Sequence, residues 1–229
     1  MPLHRPAGPV RTVEAYVTSA EQARAAEANG ANRLELCGPG EGGLTPSAEL
    51  LAIVLAHARI PVHAMVRPRE GGFVYSDTEF AAMCRGVELA KGAGAAGVVF
   101  GMLREDGTLD APRMGELVAL ARPLRVGVHR AFDATRDPDE AFEALLALGV
   151  DVVLTSGHAP TALEGVETLA RLVRRAGERL TILAGGSVRA ANVEAIVTAS
   201  GVREVHARAI EPESFAALVQ AVRRLGDRA

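Results

Sequence analysis

The chain has 229 residues, 48% of them hydrophobic, and a formal net charge of −3. That length buries one substantial core and points to a single domain, and with no Lys/Arg-rich block the charge gives no reason to expect nucleic acid. Aromatic residues make up 3% of the chain, which argues against a base-stacking surface, and no apolar run is long enough to span a membrane.

Residues 1–10 are Pro-rich and lack an apolar stretch, so they are expected to form a loose tail and not a secretory signal. The folded domain is then expected over 11–229. Thr12 to Thr18 alternates as a first strand, and Ser19 with Gln22 is a capping start for a helix that ends at Gly30. Asn32 to Cys37 is the second strand, followed by a Gly-rich loop and a helix opening at Thr45-Pro46 and running to about Ala58. Val62 to Val66 is the third strand, and Ser76 with Glu79 opens the helix that carries Cys84. Gly97 to Phe100 is the fourth strand, with Asp110-Ala-Pro starting the next helix. Val126 to His129 is the fifth strand. A charged loop follows, then Asp137-Pro138 as helix cap and first residue, and Gly149 as its stop. Asp151 to Thr155 is the sixth strand, with Thr161 and Glu164 capping the helix after it. Thr181 to Ala184 is the seventh, leading through Gly185-Gly186-Ser187 into a helix, and Glu204 to Ala207 is the eighth, before a helix over Ser214 to Leu225.

Eight strands alternate with eight helices at a regular spacing, the pattern of a single-domain TIM (β/α)₈ barrel. An open doubly wound sheet is the alternative, but no glycine fingerprint follows the first strand. In either architecture chemistry gathers where parallel strands end.

Strand periodicity gives the inward set. Glu14 shares a face with Tyr16, Arg33 with Glu35 and Cys37, His63 with Met65 and Arg67, and His206 with Arg208; His129 ends the fifth strand. Charges inside a barrel need partners, so Glu14 and Glu35 are expected to meet Arg67, Arg208 or a protonated histidine. Such a network either fills the barrel or forms a polar pocket for proton transfer. The second reading makes Glu35 an acid or base with His129 as its partner, and Asp133 the group that orients the histidine or the substrate. Arg67 would offer its guanidinium fork to a carboxylate or phosphate.

Gly185, Gly186 and Ser187 follow a strand and precede a helix, an arrangement suited to an anion, with Arg208 and Ser156 closing the cradle. The structural alternative is a left-handed turn with a serine cap. The only lysine, Lys91, falls on the third helix, which argues against a Schiff-base aldolase.

The segments RLELC (33–37), EGGLTPS (41–47), HRAFD (129–133), LTSG (154–157) and ALEG (162–165) carry a resemblance to the CutC copper homeostasis family. RPR (67–69), YSD (75–77), VFG (99–101) and EDG (105–107) extend it over nearly the whole chain. The resemblance implies a TIM barrel, a cytoplasmic location, and copper handling through Cu(I) on cysteine. Cys37 matches the family's ELC position, whereas Tyr16 stands where similar members often carry a cysteine. A Cu(I) ion would then rest on the soft Cys37 thiolate, with His129, His63, His206 or Met65 completing its coordination. Cys37 can equally be a small buried hydrophobe.

Three classes of function follow: copper handling, an enzyme of lyase or isomerase type acting on a small anionic metabolite, phosphorylated or not, and a non-catalytic scaffold. A homodimer is the expected assembly, from the apolar helix residues Leu50, Leu51, Ile53, Val54 and Leu55.

Overall fold

The structure, a computed structural model, describes residue 10 and residues 12–226. The expected tail therefore lies, Val10 apart, outside the described residues. Strands β1 (Thr12–Val17), β2 (Arg33–Leu36), β3 (Val62–Met65), β4 (Gly97–Phe100), β5 (Arg125–Val128), β6 (Val152–Thr155), β7 (Thr181–Ala184) and β8 (Glu204–Arg208) alternate with helices. These are α1 (Ala20–Ala28), α2 (Ala48–His57), α3 (Asp77–Ala93), α4 (Ala111–Ala121), α5 (Pro138–Leu148), α6 (Val166–Ala176), α7 (Val193–Ser200) and α8 (Pro212–Gly226). All strand pairs are parallel and follow chain order, and β1 returns to β8 with Glu14 opposite His206, closing a TIM barrel.

The helix starts follow side-chain capping. Ser19, Ser76 and Asp137 each accept from amides of the first turn, and Ser76 with Glu79 forms the reciprocal box. Four starts differ from expectation, among them α8, which begins at Pro212, two residues before Ser214. α2 begins after Ser47 because the Thr45 hydroxyl is taken by Arg67, accepting from its amide at 2.9 Å and donating to its carbonyl at 3.0 Å. Thr161 and Glu164 cap a separate turn, and α6 begins only after Gly165. α7 begins at Val193, six residues past Ser187, so the Gly185-Gly186-Ser187 corner does not sit on a helix N-terminus.

The main core lies between sheet and helices, where Leu34, Phe100, Val126, Phe142 and Phe215 are buried. Leu51 and Val54 of α2 are part of this core and Leu50 and Leu55 pack against it, so of the residues expected at a dimer face Ile53 alone is exposed. Inside the barrel the apolar packing is much smaller. One cluster holds Tyr16, Cys37, Met65 and Val99, and another holds Val152, Leu154 and Leu183. Charged and imidazole side chains occupy much of the remaining lumen, where a barrel ordinarily stacks branched apolar residues. No helix among the described residues is long and apolar enough to cross a membrane.

Candidate active site at the barrel mouth

The lower lumen is a closed electrostatic unit. Arg33 donates from Nε to Glu14 at 2.5 Å and from Nη2 to Glu204 at 2.7 Å. Glu14 also pairs with His206, whose Nδ1 lies 2.8 Å from its Oε1, and with His63 at 4.0 Å. Burial alone would raise Glu14, but Arg33 and then the two histidines hold its carboxyl well below the usual range. His63, by contrast, is held down to about 4, chiefly by burial, and stays neutral.

Above this unit stands Glu35, buried and lining the mouth. Burial pushes it up to about 7; the charge of His206 opposes that shift and the charge of Glu14 adds to it. His206 Nε2 is 3.9 Å from its carboxylate. Burial lowers His206, yet Glu35 and Glu14 together outweigh this and raise it. Glu35 is thus a carboxyl poised near neutral pH beside an imidazole that Glu14 orients, the condition that acid–base chemistry requires.

The mouth itself is a cavity of about 600 Å³. Four arginines, Arg67, Arg130, Arg189 and Arg208, line it against two glutamates, Glu35 and Glu41. Arg67 is 6% exposed, and its guanidinium donates to the backbone carbonyls of Glu41 at 3.1 Å and Gly71 at 2.8 Å. Among the described residues it has no carboxylate partner. Its guanidinium lies 5.2 Å from the centre of the Phe73 ring, and the other neighbour of that ring is His129 at 5.1 Å.

His129 is fixed by its surroundings. Its Nδ1 accepts the Ala131 amide at 3.1 Å, which assigns the ring proton to Nε2. Burial, and then the charge of Arg67, holds the ring down to about 3, so it is a neutral imidazole. Nε2 has no hydrogen-bond partner among the described residues, although the ring is only 5% exposed. Gly101 makes this position possible: a Cβ there would fall 2.8 Å from the His129 ring.

Asp133 does something other than orient His129. Its carboxylate accepts from the Ser156 amide at 3.0 Å, from the His158 amide at 3.2 Å, from the Thr155 hydroxyl, and from Arg130 Nε at 2.7 Å. The Ser156 hydroxyl is buried and accepts from Arg130 Nη2 at 2.9 Å, so Ser156 holds Arg130 and does not face the cavity. Gly185 is packed against Leu154, where a Cβ would lie 2.4 Å from Cδ1, and its amide serves Thr155; it does not line the mouth. Gly186 and Ser187 do line it, both with positive φ, as does Arg208, which lies over the Tyr16 ring at 5.2 Å.

The structure thus brings Glu35, Arg67, His129, Gly186, Ser187 and Arg208 to one cavity. Glu35 meets His206 and not His129, and Arg67 pairs with neither Glu14 nor Glu35. Cys37 lies behind the cavity wall, fully buried, with Sγ 3.8 Å from the Glu35 carboxylate. Burial and then the Glu35 and Glu14 charges push its thiol well up. Arg130, expected with His129 and Asp133 at the end of the fifth strand, does line the mouth, whereas Phe73 was not expected there, nor was Arg33 expected as the counter-charge of Glu14. Arg33 had a visible signal, since its register partner across β1–β2 is Glu14.

Comparison with known proteins agrees with this architecture. The CutC family model matches residues 11–211. A Mesorhizobium japonicum relative, a family protein CutC, is 47% identical over 200 residues, covering 87% of this chain and 78% of its own. The human copper homeostasis protein cutC homolog is 46% identical over 198 residues, covering 86% and 72%. The crystal structure of a proposed copper homeostasis protein CutC from Streptococcus agalactiae superposes with a TM-score of 0.80 at 29% identity, covering 85% of this chain and 97% of that one. The chain belongs to the CutC family.

Proposed function

We propose that this CutC-family barrel is an enzyme that moves a proton on a small anionic carbonyl metabolite bound at the C-terminal mouth. The observation that carries the reading is the pair Arg67 and His129: a buried guanidinium without a carboxylate, beside a buried imidazole N–H without an acceptor. An unsatisfied buried donor costs about 1–3 kcal/mol, and a buried cation without a counter-ion costs more. A ligand oxygen bearing negative charge removes both penalties.

The chemistry follows from the groups at the wall. Ionised Glu35 takes a proton from the carbon beside the carbonyl, and the C–H electron pair forms the new C=C bond. The carbonyl π pair moves onto oxygen, where the His129 N–H and the Arg67 guanidinium stabilise it. Where the carbon that lost the proton bears a hydroxyl, its O–H proton passes to the enolate oxygen and Glu35 returns its proton to the former carbonyl carbon, which completes an isomerisation. Where the next carbon along bears a leaving group, the enolate oxygen pair re-forms the C=O, the C=C pair shifts to that carbon and the group departs with its bonding pair, which completes an elimination. A neutral imidazole donor suits this step because it polarises the oxygen without surrendering its own proton.

Copper enters through the relatives' names and through one observation here, that Cys37 and Met65 share an apolar cluster beneath the mouth. The donor set is a poor match for a resident Cu(I) ion. The Cys37 thiol is held protonated, and the Nδ1 contact of His129 keeps a proton on Nε2. Glu14, Glu35 and His206, whose ligand atoms lie within 4.8 Å of one another, are largely hard oxygen donors, and Glu14 is already engaged with Arg33. We therefore place Cys37 as packing. Anaerobic Cu(I) competition against a chelator should give the same affinity for the parent and Cys37→Ser, and a loss above tenfold in the variant would make copper the cargo of this site.

The enzyme reading is tested by titrating glycolate at fixed ionic strength into the parent, Arg67→Met and His129→Phe. Binding should weaken at least tenfold in each variant. Equal binding in all three would overturn the reading.

A further inference from the structure

The cavity is larger than one carboxylate requires, and its cations divide into two groups. Arg67, directly after β3, lies on one side beside His129. Gly186 and Ser187 follow β7, which stands four strands from β3 in the closed order and so faces it across the mouth. Arg208, at the end of β8, adjoins that second side, with its guanidinium over Tyr16 and, among the described residues, no carboxylate partner.

Arg130 decides the division. It follows His129 in the chain, yet its guanidinium is drawn away from the imidazole. Asp133 takes Nε and Ser156 takes Nη2, which sets the guanidinium carbon 3.7 Å from where a Cβ of residue 186 would stand. Gly186 has φ +101° and its Cβ would also fall 2.9 Å from Ser156, so only glycine keeps this corner open to the guanidinium. Asp133 in turn is bound by the Thr155 hydroxyl and the Ser156 and His158 amides, so the carboxylate that aims Arg130 cannot swing. So much hydrogen bonding around one half-exposed arginine is unusual for a surface ion pair, which ordinarily contributes little to stability.

We propose that the mouth binds a two-ended anion, a carboxylate or enolate oxygen at Arg67 and His129 and a phosphate at Arg130, Gly186 and Arg208, with Asp133 as the residue that positions Arg130. The proposal rests on the anion-site reading above and adds the phosphate end. A phosphate suits the second group because it is doubly charged and presents several oxygens to separate guanidinium forks. Linking the two ends in one molecule makes the second contact intramolecular, so the affinity gain exceeds that of either end alone.

The test is isothermal titration at constant ionic strength with glycolate, inorganic phosphate, and a series of carboxylates bearing a terminal phosphate across one, two or three methylenes. The best of the series should bind the parent at least thirtyfold tighter than either one-ended probe. Arg130→Gln should remove most of that advantage and leave glycolate binding within twofold. Asp133→Asn should weaken the phosphate-bearing probe about fivefold with glycolate unchanged, a split that general unfolding would not produce. Thermal unfolding of each variant without ligand reports its folding. If no member of the series beats both one-ended probes while glycolate still depends on Arg67, the two-ended proposal is overturned and the enzyme reading stands. If glycolate binding ignores Arg67 and His129, both fall together.

Discussion

Arg33 and Arg67 are both buried in the same barrel, at 4% and 6% exposure, and are treated in opposite ways. Arg33 is gripped by two carboxylates, Glu14 and Glu204, from strands on either side of the closure. Arg67 receives two backbone carbonyls and an aromatic face. The lower lumen therefore balances its own charge, whereas the mouth leaves a cation and an imidazole N–H to be balanced from outside. Burial alone does not mark a functional residue; what marks it is a buried charge that the fold does not neutralise.

The sharpest way to break this comparison is to remove each arginine in turn. Arg33→Met strands Glu14 and Glu204, and breaking a buried pair from one side costs about 3–5 kcal/mol. Arg67→Met removes a cation without a carboxylate, so its unfolding free energy in denaturant should stay within about 1 kcal/mol of the parent. Equal losses in the two variants would mean that Arg67 is a structural charge like Arg33.

Glu35 sharpens the boundary between the two regions through its dependence on pH. Its folded-state value of about 7 lies above the ordinary 4.5, so the folded protein retains a proton that the unfolded chain releases between those values. The contribution of this group to stability is complete below about pH 4.5 and falls as pH rises towards 7. Glu35→Gln should remove that fall, gaining up to about 3 kcal/mol over the parent at pH 8 but little at pH 4.5. Unfolding curves at both pH values measure it. A variant less stable at pH 8 would show Glu35 to be a paired structural carboxylate. In the enzyme reading the same titration makes activity rise with pH as Glu35 ionises.

The smallest of the three effects concerns His129. His129→Phe deletes an unpaired donor and keeps the ring, so stability should change by less than about 1 kcal/mol. Glycolate should nevertheless bind about tenfold more weakly, equivalent to about 1.4 kcal/mol. A large stability loss would mean that the Nδ1 contact to Ala131 is what the histidine is kept for.

The order of the eight strands, the helix caps at Ser19, Ser76 and Asp137, and the placing of Glu35, Arg67, His129 and Arg208 at strand ends were all legible in the sequence, because periodicity, capping and parallel-strand geometry are local rules. The same rules gave the inward faces on which Glu14, Arg33 and His206 stand. They did not give the pairings, since period two states which way a side chain points and not whose neighbour it becomes. Arg33 reaches Glu204 across 171 residues, and Glu14 reaches His206 across 192. Only barrel closure brings those groups together. Closure therefore decided which arginine is neutralised and which is left open, and that Asp133 holds Arg130 in place of His129, because the free energy of a buried charge is set by the neighbours that close around it.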